Sequence, residues 1–376
     1  MSLHRYSTKI VVVFAASLAA GCAVDGDPNT DTQAANALTA SDSPPLPADV
    51  LAALRSPDSI PASMLDRVHR LEHRVNVGQG RMIAMTESFT LRSFLRWPHR
   101  AMLMVPAQGS NRSVYNVPIE GYDGGAIMAR DGFFAFTVDP PGTGDSYQPA
   151  NGLTVTYESE AATLAIVADR IRAIRAVPRI DAWGEELGGG VAMHLCADRR
   201  RFRSCVVSSM LYKTGSDFFY QVAPFFQAFI LSSPDGYFTT FPDAYFNVLV
   251  GASADVRTWY LSTQIGRYAA GLYNQDFDRV LHNGPSYDPR NAAVPGLIIR
   301  GQFESNNPIE DTQQLAADYG SIGGGGPAEV TVIPGGTHIV RLDAAPVGPS
   351  VWDITKAFVD RVDHHGDSQG EDGDSQ

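Results

Sequence analysis

Apolar residues gather in short β-branched and aromatic runs at 81–85, 101–106, 133–138, 180–183, 205–211, 296–300 and 330–333, and this pattern predicts a strand at each. Helical periodicity fills most of the intervals. It is clearest over 155–174, where Leu164, Val167, Ile171 and Ile174 keep the three- and four-residue spacing of one buried face, and a second helix over 351–362 closes the series. Strands that alternate with helices need crossover connections, so the predicted fold is α/β, a mostly parallel sheet covered by helices on both faces.

The alternation breaks between Tyr212 and Tyr287. That stretch carries Phe218-Phe219-Tyr220, Phe225-Phe226, Tyr237-Phe238, Tyr245-Phe246 and Trp259-Tyr260, and no run in it reads as a buried parallel strand. It is expected to be an insertion, residues 213–290, whose aromatics pack it over the core as a lid. The core is then residues 66–212 and 291–363.

The ends read differently. In residues 1–21, His4, Arg5 and Lys9 precede an apolar run over 10–20 that is too short to span a bilayer, the pattern of an export signal. It finishes in Leu18-Ala19-Ala20-Gly21-Cys22, which is similar to a bacterial lipoprotein processing site with Cys22 as the lipidated residue. The alternative is ordinary cleavage that leaves Cys22 free. With Ala23 rather than Asp after the cysteine, the resemblance implies an outer-membrane lipid anchor in the cell envelope, facing the periplasm or the exterior. Residues 22–65, Pro-, Ala-, Ser- and Asp-rich, are expected to be a tether. The polar residues 364–376 are expected to be a disordered tail.

With 376 residues and 44% apolar content, the chain can bury a large core. A formal net charge of −12 argues against nucleic acid as a partner, and the one basic cluster, Arg199-Arg200-Arg201, is expected to be solvated. Cys196 and Cys205 either pair in an oxidising compartment, closing a short loop, or are two small buried hydrophobes.

The segment Trp183-Gly184-Glu185-Glu186-Leu187-Gly188-Gly189-Gly190 has the frame of a nucleophile elbow, Gly-x-Nu-x-Gly, between the strand ending at Trp183 and a helix over 191–197. Its centre is Glu186, where Ser, Cys or Asp is usual. Val138-Asp139-Pro140-Pro141-Gly142-Thr143-Gly144-Asp145-Ser146, Leu297-Ile298-Ile299-Arg300-Gly301-Gln302-Phe303-Glu304 and Ile333-Pro334-Gly335-Gly336-Thr337-His338 follow the same order as the scaffold turn, the acid loop and the histidine loop of one family. On these motifs the chain resembles the α/β-hydrolase superfamily over about residues 71–362. The resemblance implies a triad of Glu186, Glu304 and His338, with an oxyanion hole made by the backbone N–H groups of Leu187 and Gln108. Glu185 is expected to be structural, and Glu310 and Asp311 to cap the following helix.

A carboxylate at the elbow changes the chemistry. Attack by Glu186 on an ester would form an anhydride while expelling a far more basic alkoxide. Attack on the saturated carbon of an epoxide or alkyl halide instead gives an enzyme ester, which water activated by His338 can clear. Three expectations stay open: a hydrolase using Glu186 as nucleophile or base, a lyase, isomerase or cyclase in which Glu186 and His338 move protons, and a binding lipoprotein derived from a serine esterase. The histidines are scattered and no Cys-x-x-Cys, His-Glu-x-x-His or dinucleotide-binding motif occurs, so neither metal nor cofactor is expected. The expected partner is a small, largely apolar molecule.

Overall fold

The computed structural model describes residues 44–240, 249–282 and 284–368. Residues 1–21, Cys22, the first part of the tether and residues 369–376 lie outside the described residues. Among the described residues ten strands are formed: β1 (His69–Asn76), β2 (Met82–Phe89), β3 (Arg100–Val105), β4 (Phe133–Val138), β5 (Ile180–Glu185), β6 (Phe202–Ser208), β7 (Tyr237–Thr239), β8 (Arg267–Ala269), β9 (Gly296–Gly301) and β10 (Glu329–Ile333). Eight of them make one sheet in the order β1-β2-β4-β3-β5-β6-β9-β10. The first two pairings, β1 with β2 and β2 with β4, are antiparallel, and the rest are parallel.

Every residue of β3, β4, β5 and β9 is buried, as expected of parallel strands covered on both faces. One apolar layer joins Leu103, Phe134 and Ala182 to Leu164, Val167 and Ile171 of the helix Tyr157–Arg175; the opposite layer is built around Trp183, Tyr115 and Trp352. The helix Tyr157–Arg175 starts at Thr156, whose hydroxyl accepts from the Ser159 N–H in a capping box, and ends at Ala176 in the left-handed region. Edge strand β1 has no apolar run: its burial alternates and Arg70, Glu72 and Arg74 project outward, which is why the run-based reading passes over it.

Two expectations need correction, and one open alternative is decided. Within the stretch read as a tether, Ala48–Arg55 is a helix whose Val50 is fully buried in the core, with Ala53 and Leu54 packed beside it. The good helix formers Ala and Leu there outweigh the Pro- and Ser-rich composition around them. At the other end the closing helix spans Val347–Ser368, taking in residues 364–368 of the expected tail. Cys196 and Cys205 are free and buried, not bridged; each thiol faces a backbone carbonyl, of Ser204 and Ala192 respectively, so both serve as small core residues.

Between β6 and β9 the chain forms helices Asp217–Leu231, Ala254–Thr263 and Gly271–Leu281 and the antiparallel pair of β7 and β8. This segment has an apolar cluster of its own, including Phe219, Phe238, Tyr268 and Phe277. Among the described residues none of its strands joins the large sheet.

Candidate active site

The parallel strands bring their carboxyl ends to one edge of the sheet, where open α/β sheets form their crevice. The connection from β5 to the helix Leu187–Leu195 turns at Glu186, which holds φ 50° and ψ −124°. A non-glycine residue in that region is strained and needs support from its surroundings. Here the Glu186 N–H donates to the Ser208 carbonyl at 2.9 Å, and the Glu186 carbonyl accepts from the Gly189 N–H at 2.9 Å. The flanking glycines are required by close approach: a Cβ on Gly184 would lie 2.5 Å from the Gly188 carbonyl oxygen, and one on Gly188 would lie 2.2 Å from the Pro106 carbonyl oxygen.

His338 follows β10 and its side chain is 3% exposed. Its loop is pinned by Asp343, which accepts from the Thr337 N–H and hydroxyl, and by the Ser209 hydroxyl, which donates to the His338 carbonyl. Nδ1 of His338 lies 2.8 and 2.9 Å from the two carboxylate oxygens of Glu304, itself held by the Asn306 N–H at 2.7 Å. On the other side of the ring, Nε2 lies 3.6 Å from Oε1 of Glu186. The structure thus brings Glu186, His338 and Glu304 into one line.

Electrostatics set the charge of that line. Burial alone would lower the His338 pKa, but the charge of Glu304, the hydrogen bond to it and the nearby Glu186 carboxylate outweigh it and raise the pKa to about 10. At neutral pH the ring is therefore an imidazolium between two carboxylates. The Asn306 carboxamide, 2.9 Å from Nε2, can turn its oxygen to accept from this imidazolium or its NH₂ to donate to a neutral ring.

Glu185 points away from this line. Its carboxylate receives the Arg341 guanidinium at 2.5 Å, both side chains are buried, and Arg341 also donates to the Val114 carbonyl at 3.0 Å. Burial pushes the Glu185 pKa up and Arg341 opposes it. The N–H groups of Leu187 and Gln108 have no acceptor among the described residues. Gln108 is held by the other groups it carries: its side-chain oxygen accepts from the Tyr273 N–H and its carbonyl from the Tyr273 hydroxyl, both at 2.8 Å.

A cavity of about 110 Å³ opens on Glu186, Leu187 and His338 and is roofed by Phe219, Val222, Phe226 and Phe277 of the insertion. A smaller one of about 40 Å³ reaches from Glu186 to Gln108 and Tyr260. Among the other histidines, His194 stacks on Tyr157 and His282 is exposed, bonded to the Asp278 carbonyl. Glu310 and Asp311 lie in the first turn of the helix Ile309–Asp318, at its positive end as expected, and make no side-chain cap bond to it. The Asp311 carboxylate instead accepts from the N–H groups of Tyr212, Lys213 and Thr214, each at 2.8 Å, and so fixes the chain leaving β6.

The cavity also contains residues that the motifs pass over: Tyr157, Ser209, Asp276, Tyr287 and Asn306. One of them left a trace in the sequence. Asp276 stands four residues from both Leu272 and Val280, on the apolar stripe of the helix Gly271–Leu281, where an acid is out of place. Among the described residues, no group of three or more His, Cys, Asp and Glu is arranged to hold a metal, and no helix is long and apolar enough to cross a membrane.

The sheet order, the strained turn after β5 and the placement of acid and histidine loops after β9 and β10 are those of the α/β-hydrolase fold, and the chain has this fold. A soluble variant of monoglyceride lipase from Saccharomyces cerevisiae, solved with a substrate analogue, is similar to it with a TM-score of 0.59 at 16% identity, over 78% of this chain and 97% of that one. E-2-(acetamidomethylene)succinate hydrolase matches with a TM-score of 0.56 at 18% identity, over 78% of this chain and 100% of the other. A membrane phospholipase A described as a bacterial virulence factor matches at 0.54 and 16% identity, over 84% of this chain and 92% of its own. No family model and no curated protein matches the sequence.

Proposed function

We propose that this protein is a hydrolase of small, largely apolar molecules in which Glu186 attacks a saturated carbon and His338, oriented by Glu304, activates the water that clears the resulting ester. The observation that carries this reading is the contact of 3.6 Å between Glu186 and the imidazole that Glu304 holds. The charge state supports it in a specific order. A resting imidazolium cannot take a proton from water, but alkylation of Glu186 removes one of the two negative charges that hold the proton on the ring. The ring pKa then falls, and His338 becomes a base when an ester exists to be hydrolysed. The apolar roof of the cavity suits such a substrate.

The test is multiple turnover of an epoxide or alkyl halide in heavy-oxygen water, followed by peptide mass spectrometry. Heavy oxygen in the Glu186 carboxylate is expected, because water attacks the ester carbonyl. Turnover that leaves Glu186 unlabelled overturns the covalent route.

The same imidazolium–carboxylate contact supports a second reading, an isomerase or lyase in which the pair relays a proton. Product mass separates the two, since hydrolysis adds water. A lipid anchor at Cys22 in the envelope completes the proposal; it rests on the sequence of residues 1–22 and is tested by radiolabelled palmitate incorporation that Cys22→Ala abolishes.

A further inference from the structure

The wall of the cavity formed by Asp276, Tyr157 and Tyr287 has no part in the line from Glu186 to Glu304. Asp276 is 3% exposed, and among the described residues it has no ion-pair partner. The Tyr157 hydroxyl donates to its Oδ1 at 3.3 Å. The Tyr287 hydroxyl, on a side chain only 1% exposed, lines the same cavity with no hydrogen-bond partner among the described residues. A buried, unpartnered hydroxyl that lines the same cavity as a buried carboxyl is a place prepared for a polar atom that the protein itself does not supply.

We infer that Asp276 is the group that protonates an oxygen leaving the substrate, with Tyr287 as second donor, so that the substrate is an epoxide or similar strained cyclic ether and not an alkyl halide. This rests on the reading of Glu186 as nucleophile. Burial, then the charges of Glu186 and Asp311, push the Asp276 pKa up to about 7 against the bond from Tyr157, so the protonated acid is available at neutral pH. A departing halide needs no proton. A departing alkoxide is strongly basic and needs one.

The steps balance. A Glu186 oxygen bonds to the epoxide carbon, the C–O bond breaks with its electron pair going to oxygen, and that oxygen takes the Asp276 proton. His338 then loses its proton, which reaches the Asp276 carboxylate through solvent. Neutral His338 takes a proton from the water that adds to the ester carbonyl; collapse breaks the ester C–O bond and expels an alkoxide, which takes the proton of the newly formed Glu186 carboxylic acid and leaves a diol, the Glu186 carboxylate and the His338 imidazolium. The sum is epoxide plus water to diol.

The experiment is rapid quench and intact-protein mass spectrometry of the Glu186 ester, with styrene oxide and phenethyl bromide as parallel probes. In Asp276→Asn, which keeps shape and hydrogen bonding, ester formation from the epoxide is expected to fall at least 100-fold while that from the bromide changes less than threefold. Tyr287→Phe is expected to show the same selectivity more weakly, and melting temperatures establish that both variants fold. An equal effect on both probes, or none on the epoxide, overturns the role of Asp276 while leaving Glu186 as nucleophile. Wild-type protein that forms an ester with neither probe overturns the nucleophile reading, and this inference with it.

Discussion

His338 keeps its Nδ1 2.8 Å from the carboxylate of Glu304, with the two side chains 3% and 1% exposed. The contact is a proton trap as well as an orienting bond. The ring pKa lies near 10 in the folded protein against an ordinary 6.5, so its stabilising effect is complete below pH 6.5 and lost as pH rises through 10. Denaturant titrations across this window should show wild-type stability falling with pH, and the fall should be much reduced in Glu304→Gln. An unchanged slope in the variant would show that Glu304 does not hold the proton.

Glu186→Gln removes the nucleophilic charge and keeps the volume of the side chain. Turnover should fall on the order of 10⁴-fold or more, the scale of losing a member of a covalent catalytic set. Because Glu186 sits at the cavity and not in the core, the far-ultraviolet circular dichroism spectrum should be retained. Residual activity within tenfold of wild type would remove Glu186 from the reaction.

The same position stores strain. At φ 50° and ψ −124° a side chain costs about 1–3 kcal/mol that glycine does not incur. Glu186→Gly and Glu186→Ala both lose the contact with His338, so the difference between them isolates the backbone. The glycine variant should be the more stable by about 1–2 kcal/mol, reduced by the extra freedom of its unfolded chain. Equal stability would mean that the elbow relaxes when its side chain is truncated.

The sheet was legible because its central strands are buried on both faces and so appear as continuous apolar runs. Strand β1 was not, since an edge strand hides its pattern behind charged residues. Glu186, Glu304 and His338 were visible because glycine-rich turns mark the strand ends that carry them. Asp276 and Tyr287 come from the insertion, where no motif constrains position and only the folded chain brings them to Glu186. Helix Ala48–Arg55 was obscured by the Pro- and Ser-rich residues around it, although Val50 and Leu54 have the spacing of one helical face.

Beneath the elbow, the pair of Glu185 and Arg341 should govern stability more than chemistry. Both side chains are 1% exposed, so each is costly without the other. Arg341→Met leaves a buried carboxylate without its cation and should cost about 3–5 kcal/mol, whereas Glu185→Met combined with Arg341→Met removes both charges and should recover most of that loss. Arg341 also bonds the Val114 carbonyl, which the double variant leaves without that donor, so recovery should stop short of wild type by about 1 kcal/mol. Equilibrium unfolding of the two single variants and the double variant gives the coupling energy directly. A coupling near zero would mean that water or a shifted side chain replaces the partner, and that Glu185 is free to share its charge with Glu186.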